Sequence, residues 1–274
     1  MEENLKNEDA KKQQAEKHPL LSKIEEITPD KEKQTKDARY TADDIMLEKY
    51  ITKDDTPDKF KNMEYMYHIC TILNSCCSTR MGAHRVYATA LAFSKHGDTI
   101  KEILKKKSPL DNDDLEKIQD TLCQKISLED QDSKDFRSYS FATKFLAFHS
   151  EYKYYKKDDS LFPIYDGQVC TVIKKYSLNK INTLEEFITK SKENLELKKQ
   201  KILEQEKADL DKYRTKHKLK NTIHLDDYLQ FYRLMRILSI ATGINNLKRL
   251  DRIFWTLGDE IQEEQKQKKA SNNL

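Results

Sequence analysis

Glycine is scarce in this sequence, and its scarcity excludes several kinds of ligand-binding loop. The chain of 274 residues has five glycines, and each is isolated in sequence: Gly82, Gly97, Gly167, Gly243 and Gly258. Loops that cradle phosphate or a dinucleotide need glycines close together, because the backbone must approach the ligand. A P-loop, a Rossmann fingerprint and the glycine-rich loop of a kinase are therefore excluded.

Paired metal-binding motifs are also missing. The five cysteines show no CxxC spacing, and the seven histidines form neither HExxH nor a paired Cys/His pattern. Structural zinc sites and iron–sulfur loops depend on such spacings. The sequence therefore predicts reduced, mostly buried thiols, no metal site and no cofactor.

Long hydrophobic runs are absent as well. No apolar run approaches the roughly 20 residues that a membrane span needs. Met1 is followed by Glu2 and Glu3 rather than by a basic and then apolar leader. We therefore expect a soluble, cytoplasmic protein without a membrane partner.

Aromatic residues are missing from the first 39 positions, where charged and amide side chains dominate. Charged residues make up 35% of the chain, so part of it is expected to lie outside any packed core. The composition predicts a disordered or loosely helical charged tail over 1–38, one helical domain over 39–263 and a polar tail over 264–274. The charges nearly balance, at 50 basic and 47 acidic residues, which does not by itself indicate a nucleic-acid partner.

The remaining pattern is helical. Apolar residues recur three and four positions apart, and no convincing period-two alternation occurs, so the sequence predicts an all-α fold. Thr41, Thr56 and Asn112 stand at expected helix starts, whereas Gly97 and Gly243 stand at expected helix ends. The stretch 184–221 lacks proline and glycine and alternates acids with bases, which predicts a long exposed helix or a helical hairpin.

Lys144 is the residue with the most interesting local environment. On a helical wheel it lies beside Phe141 and Phe148, so its amine is drawn toward apolar surroundings. Desolvation favours the neutral amine, which is the form that attacks carbon. Asp166 follows Pro163 and precedes an apolar helix, so it is expected to cap that helix with an ionised carboxylate.

Two runs together resemble the helix-hairpin-helix DNA glycosylase superfamily, and most closely its archaeal 8-oxoguanine glycosylase branch. They are SFATKF (140–145) and FPIYDGQV (162–169). The segments 66–80 and 250–258 are similar to the family's early helix and closing helix. The resemblance spans 65–258, with the long charged helix as an insertion.

The resemblance implies a function and roles for individual residues. Lys144 matches the nucleophile that forms a Schiff base, and Asp166 matches the assisting aspartate. The implied activity is excision of a damaged or modified base, with or without AP-lyase action, from duplex DNA, in DNA repair or in defence against phage. Four aromatic residues are candidates to stack on a flipped-out base: Tyr139, Phe141, Tyr165 and Trp255.

DNA contacts are expected from residues around the site. The family's hairpin, Leu-Pro-Gly-x-Gly, is replaced here by a stretch without glycine, so side chains would have to hold the phosphate instead. Between 137 and 157 there are five basic residues and one acid. The candidates for DNA contact are Arg137, Ser138, Ser140, Arg80, His84, Arg85, Lys174 and Lys175.

Structural explanations compete with each of these functional roles. Lys144 can extend its ammonium group from an apolar face to solvent, Asp166 can be a helix cap only, and each aromatic residue can be core. The chain can then be a non-catalytic, nucleic-acid-binding or interaction protein on the same scaffold, or an unrelated helical bundle. An active site requires the Lys144 amine and an Asp166 oxygen to line one basic pocket.

Overall fold

The computed structural model describes residues 18–27, 49–51, 58–76, 81–106, 109–126, 136–150, 162–193, 195–244 and 246–271. These ranges are mostly helical, which confirms the all-α class. The helices are α1 (Pro19–Glu26), a 3₁₀ turn (Lys59–Lys61), α2 (Met63–Cys76), α3 (Ala83–Lys95), α4 (Gly97–Leu104), α5 (Asn112–Thr121), α6 (Tyr139–His149), α7 (Gly167–Lys175), α8 (Ile181–Lys192), α9 (Leu197–Lys216), α10 (Tyr228–Ala241) and α11 (Leu247–Ser271). No described helix is both long and apolar enough to cross a membrane.

Two very short strands join α5 to α6. β1 (Lys125–Ile126) pairs antiparallel with β2 (Phe136–Arg137), with Lys125 opposite Arg137. The sequence analysis predicted no strand here, because two residues are too few to show an alternating pattern. The pairing sets the direction in which the chain enters α6.

The helices bury two hydrophobic clusters that meet along α10. The first cluster is built mainly from α2 to α6, and the second from α1, α7 to α9 and α11. Every residue of α10 except Arg236 is buried, and the helix contributes to both clusters. Its polar residues are buried together with its apolar ones, so α10 lies in the interior between the two clusters. The line where the two clusters meet is called the seam below.

The described part of the predicted charged tail is helical and packs on the second cluster, so it is not disordered. Residues 19–26 form α1, with His18 as N-cap and Leu20 fully buried in the second cluster. The His18 ring packs edge-on against Phe187 at 4.9 Å. A few apolar residues at helical spacing are enough to dock a highly charged segment. The rest of the predicted tail, and most of the predicted helix after Thr41, lie outside the described residues.

The charged stretch 184–221 is a helical hairpin rather than one exposed helix. Helices α8 and α9 are joined by a short turn, and α9 packs against α10. Leu203 and Leu210 are buried, and Glu206 is only 3% exposed. The hairpin is therefore part of the core, because its sparse apolar residues recur on one face.

Glycine and cap positions differ from the sequence predictions in two places. Gly97 does not end a helix but begins α4, and a Cβ atom there would lie 2.7 Å from the Phe60 carbonyl carbon. Close packing, not backbone conformation, accounts for this glycine. Asp111 rather than Asn112 caps α5, and its carboxylate accepts from the Asp114 N–H at 2.8 Å. Gly243 follows α10 with φ of +73°, as expected for a helix end.

Candidate active site

Helix α6 brings a lysine into the interior. All of its residues except Ser140 are buried, including Lys144, which is 8% exposed. Apolar residues dominate the sequence of α6 and nearly all of the helix is buried, so it passes through the core. Lys144 therefore reaches the seam from the first cluster.

The segment before α7 brings Asp166 to the same place. The Tyr165 N–H donates to Thr143 Oγ1 at 3.0 Å, which ties this segment to α6 beside Lys144. Asp166 is the N-cap of α7, as predicted, and its Oδ1 accepts from the Gln168 N–H at 2.9 Å. The other carboxylate oxygen, Oδ2, lies 3.5 Å from Lys144 Nζ. The side chains of the pair are 10% and 25% exposed, so the pair lies near the surface without being open to bulk solvent.

Asp251 of α11 completes this group, and the sequence analysis missed it. It is 8% exposed, and its Oδ1 atom is buried without a hydrogen-bond partner in the structure. Burial raises the pKa of Asp251 well above its usual range; the charge of Asp166 adds to this shift, and Lys144 opposes it. The available signal was an acid on the apolar stripe of α11, between Leu250 and Phe254. Lys144, Asp166 and Asp251 are called the seam triad below.

Aromatic rings lie beside the triad. The Tyr165 ring contacts Tyr139 at 4.4 Å and Phe231 at 5.4 Å, both edge-on, and joins the two hydrophobic clusters. Burial raises the pKa of Tyr165 to about 12, so its hydroxyl keeps its proton at neutral pH. Tyr165 and Trp255 are both partly exposed, and Trp255 lies one helical turn after Asp251.

Two of the predicted base-stacking residues are in the interior. Phe141 is 2% exposed and packs against Phe93, so no face of its ring is open to a base. Tyr139 is 6% exposed and packs between Tyr165 and Tyr228. Core packing explains Phe141, and Tyr139 acts on the site through Tyr165.

The predicted phosphate contacts before α6 are only partly placed. Ser138 is 2% exposed, and its hydroxyl donates to the Leu122 carbonyl, so the prediction that it contacts phosphate is replaced by an internal role. Ser140 is partly exposed, and its carbonyl accepts from Thr143. The Arg137 backbone is in β2, and Arg80 lies outside the described residues.

The other predicted DNA contacts are on the surface. His84 and Arg85 are exposed in the first turn of α3, and the Arg85 guanidinium lies 5.2 Å from the Phe136 ring centroid. Lys174 and Lys175 are exposed in the last turn of α7, at the end opposite Asp166. The structure therefore does not bring these residues together with the triad.

A second group of buried charges lies between α5, α9 and α10. Arg233 donates to Glu206 at 2.7 Å and to Asn112 Oδ1 at 2.8 and 3.1 Å, and Arg236 donates to the other Glu206 oxygen at 3.0 Å. Beside it is a cleft of about 430 Å³, none of whose lining residues belongs to the triad: Pro109, Leu110, Asp111, Lys201, Ile202, Gln205, Glu206, Asp209 and Arg233. The group of Arg233, Glu206, Arg236 and Asn112 is called the arginine cluster below.

Other described residues supply no metal site. No group of three or more His, Cys, Asp or Glu side chains that can hold a metal ion occurs in the described part of the chain. Cys70, Cys123 and Cys170 are buried, as predicted, and Cys76 is partly buried. Burial raises the pKa of Cys170, next to Tyr165, to about 11, so this thiol is not a reactive thiolate.

Comparison of the chain with protein-family models, with curated proteins and with solved structures gave no match. The resemblance to helix-hairpin-helix glycosylases therefore remains a prediction from sequence. A function for the protein is therefore inferred from the geometry of the seam triad.

Proposed function

We propose that this protein is a DNA glycosylase in which Lys144 is the nucleophile and Asp166 assists it. The observation that carries the proposal is the buried approach of the Lys144 amine to an Asp166 oxygen, 3.5 Å apart, at the seam of the two clusters. A nucleophilic side chain within reach of a base is the arrangement that covalent catalysis requires. Ligand sites also occur preferentially where two packed bodies meet.

The chemistry balances with the groups present. Lys144 passes a proton to the Asp166 carboxylate, and its nitrogen lone pair then forms a bond to C1′ of a flipped-out nucleotide. The glycosidic C1′–N bond breaks, its electron pair leaves with the base, and the base takes the proton held by Asp166. The Asp166 carboxylate then accepts a proton from the secondary ammonium group on C1′ and passes it to O4′ as the C1′–O4′ bond breaks, which leaves a protonated Schiff base between Lys144 and C1′.

Asp251 supplies the third feature of the proposal. Burial raises the pKa of Asp251 well above its usual range and so favours its neutral, protonated form, and the charge of Asp166 adds to this shift. Acid–base sites commonly contain two carboxyl groups, one of them protonated and the other ionised. A neutral Asp251 can donate a hydrogen bond to a ligand group that enters the seam, whereas an ionised one can only accept.

One observation favours the second candidate function, a non-catalytic nucleic-acid-binding protein. The chain enters α6 from the short β pairing, and Ser138 is turned inward. A glycine hairpin holds phosphate with backbone N–H groups, and the stretch here contains no glycine. A protein that has lost catalysis can retain the triad as a structural group.

Borohydride trapping tests the catalytic proposal directly. The protein is incubated with duplex DNA that contains 8-oxoguanine, uracil or hydroxymethylcytosine, and with modified phage DNA, and is then reduced. We expect a covalent adduct with one substrate, its loss in Lys144→Ala and its retention in Lys174→Ala, which removes an exposed lysine. Base release is measured in parallel, since a glycosylase without lyase action forms no adduct.

Two results of this experiment would contradict the proposal. If neither adduct nor base release appears with any substrate, while DNA binding is retained, the non-catalytic function replaces it. An adduct that persists in Lys144→Ala would assign the nucleophile to another lysine.

A further inference from the structure

Three basic residues lie in the first two turns of α11, next to the seam triad. They are Lys248, Arg249 and Arg252. Arg249 is exposed, and Lys248 and Arg252 are partly exposed. None of the three was singled out from the sequence, because basic residues in a chain with 50 of them are not distinctive.

Their position relative to the triad follows from contacts on α6 and α11. The Lys248 amine lies 5.7 Å from the ring centroid of Phe148, which is one helical turn after Lys144. Asp251 lies between Arg249 and Arg252 on α11, and both Lys248 and Arg252 act electrostatically on it. The basic residues therefore lie within one helical turn of Asp251 along α11.

The charge of this region is one-sided. From 246 to 258, Asp251 is the only acidic residue, and it is buried. The other charged side chains of this stretch, Lys248, Arg249 and Arg252, are all basic and at least partly exposed. Exposed basic side chains beside a catalytic group attract the phosphate backbone of DNA.

We propose that Lys248, Arg249 and Arg252 bind the phosphates of the DNA strand that carries the target nucleotide. The inference rests on the proposed function and assigns the phosphate contacts that a glycine hairpin would otherwise make. Ser138, one of the predicted contacts, is turned inward, and Lys174 and Lys175 lie at the far end of α7. The start of α11 is the basic surface that the structure places at the triad.

The slope of log binding constant against log salt concentration tests this assignment. Wild-type protein is compared with Lys248→Gln/Arg249→Gln, with Arg252→Gln and with Arg249→Gln alone, on one labelled duplex. The matched control is Lys268→Gln/Lys269→Gln, which removes the same charge from exposed positions about 30 Å further along the same helix. Melting temperatures show whether each variant is folded.

The expected result is a change in slope of about 1 for each phosphate contact removed. The Lys248→Gln/Arg249→Gln variant should therefore lose about 2 from the slope and at least about tenfold in affinity at 0.1 M salt, and the control neither. Loss of the contact between Lys248 and Phe148 can impair folding of the double variant. In that case Arg249→Gln still tests the inference, because Arg249 is exposed.

The outcomes separate this inference from the proposed function. If the salt slope of the α11 variants equals that of the control, the inference is overturned, even when Lys144 forms a borohydride adduct. If the slope falls but no adduct or base release occurs, the phosphate surface stands and the glycosylase proposal fails. A wild-type protein that does not bind DNA overturns both.

Discussion

The seam triad and the arginine cluster are two groups of buried charge in one small protein, and they differ in how completely they are paired. In the arginine cluster both oxygens of Glu206 accept hydrogen bonds of 2.7 and 3.0 Å, and the Arg233 and Glu206 side chains are 3% and 4% exposed. In the triad, the Lys144–Asp166 contact is 3.5 Å, and Asp251 Oδ1 is buried without a partner.

The difference indicates what each group does. Buried charges that contribute to stability are paired and fully hydrogen-bonded, as in the arginine cluster. A buried polar atom without a partner costs free energy, and such groups occur preferentially at functional sites. Burial of charge alone therefore does not identify a site. The triad differs because its Lys144–Asp166 pair is partly exposed and a buried oxygen of Asp251 has no hydrogen-bond partner.

The largest expected effect is on the stability of the arginine cluster. Glu206→Gln removes the negative charge between Arg233 and Arg236, and should lower the free energy of unfolding by about 3 to 5 kcal/mol. Glu204→Gln on the same helix breaks an exposed ion pair with Lys192 and should change it by less than about 1 kcal/mol. Urea unfolding of the two variants measures the difference. Equal effects would show that the cluster is not structurally important.

The second prediction concerns Asp251, whose substitution should raise the free energy of unfolding rather than lower it. The folded-state pKa of Asp251 is above its unfolded value, so its contribution to stability is complete below about pH 4 and is lost as the pH rises toward the folded pKa. Asp251→Asn removes this loss. The free energy of unfolding of the variant should therefore rise, relative to that of wild type, by up to about 1.4 kcal/mol for each pH unit above pH 4. Thermal unfolding at pH 4 to 8 tests this, and parallel curves would contradict it.

The third prediction concerns the contact that holds the triad together. A Cβ atom on Gly258 of α11 would lie 2.6 Å from the Gln168 carbonyl oxygen of α7. Gly258→Ala should force the two helices apart, at a cost of about 1 to 3 kcal/mol in the free energy of unfolding. Gly167→Ala is the control, because nothing lies within 4 Å of its Cβ position. If both variants have the same free energy of unfolding, α7 and α11 can move apart at no cost and the prediction is wrong.

The smallest expected effect separates the two roles of Asp166. Asp166→Ala removes both the cap of α7 and the carboxylate beside Lys144, so it should lower the free energy of unfolding by at least about 1 kcal/mol. Asp166→Asn loses the same charge but retains a capping oxygen, so it should be more stable than Asp166→Ala by about 1 kcal/mol, while the yield of Lys144 adduct falls in both variants. An Asn variant with full adduct yield would restrict Asp166 to a capping role.

Local features of the fold were predicted from sequence with good accuracy. The Asp166 cap and the helical end at Gly243 were correct, because each depends on a few neighbouring residues. Helix α1 was missed because its apolar residues are sparse, and only their contact with the second cluster makes them core. The role of Gly97 was misassigned because its close neighbour, Phe60, is distant in sequence.

The candidate site was predicted in part. Lys144 and Asp166 were identified and do lie together, 22 residues apart in sequence. Asp251 was not, because an acid on an apolar stripe is recognisable only when its surroundings are known. Phe141 and Ser138 were assigned outward roles, but their side chains belong to the interior.

The sequence by itself determined the helices, their caps and the apolar faces, because these depend on residues within one or two helical turns of each other. The tertiary structure alone decided which charges meet. It placed Asp251 beside Asp166, 85 residues earlier, and Arg233 beside Glu206. Burial and pairing set the protonation and the strength of a charged group, and both are properties of the packed chain. The chemistry of the site therefore follows from the packing, whereas the helices that carry it follow from local sequence.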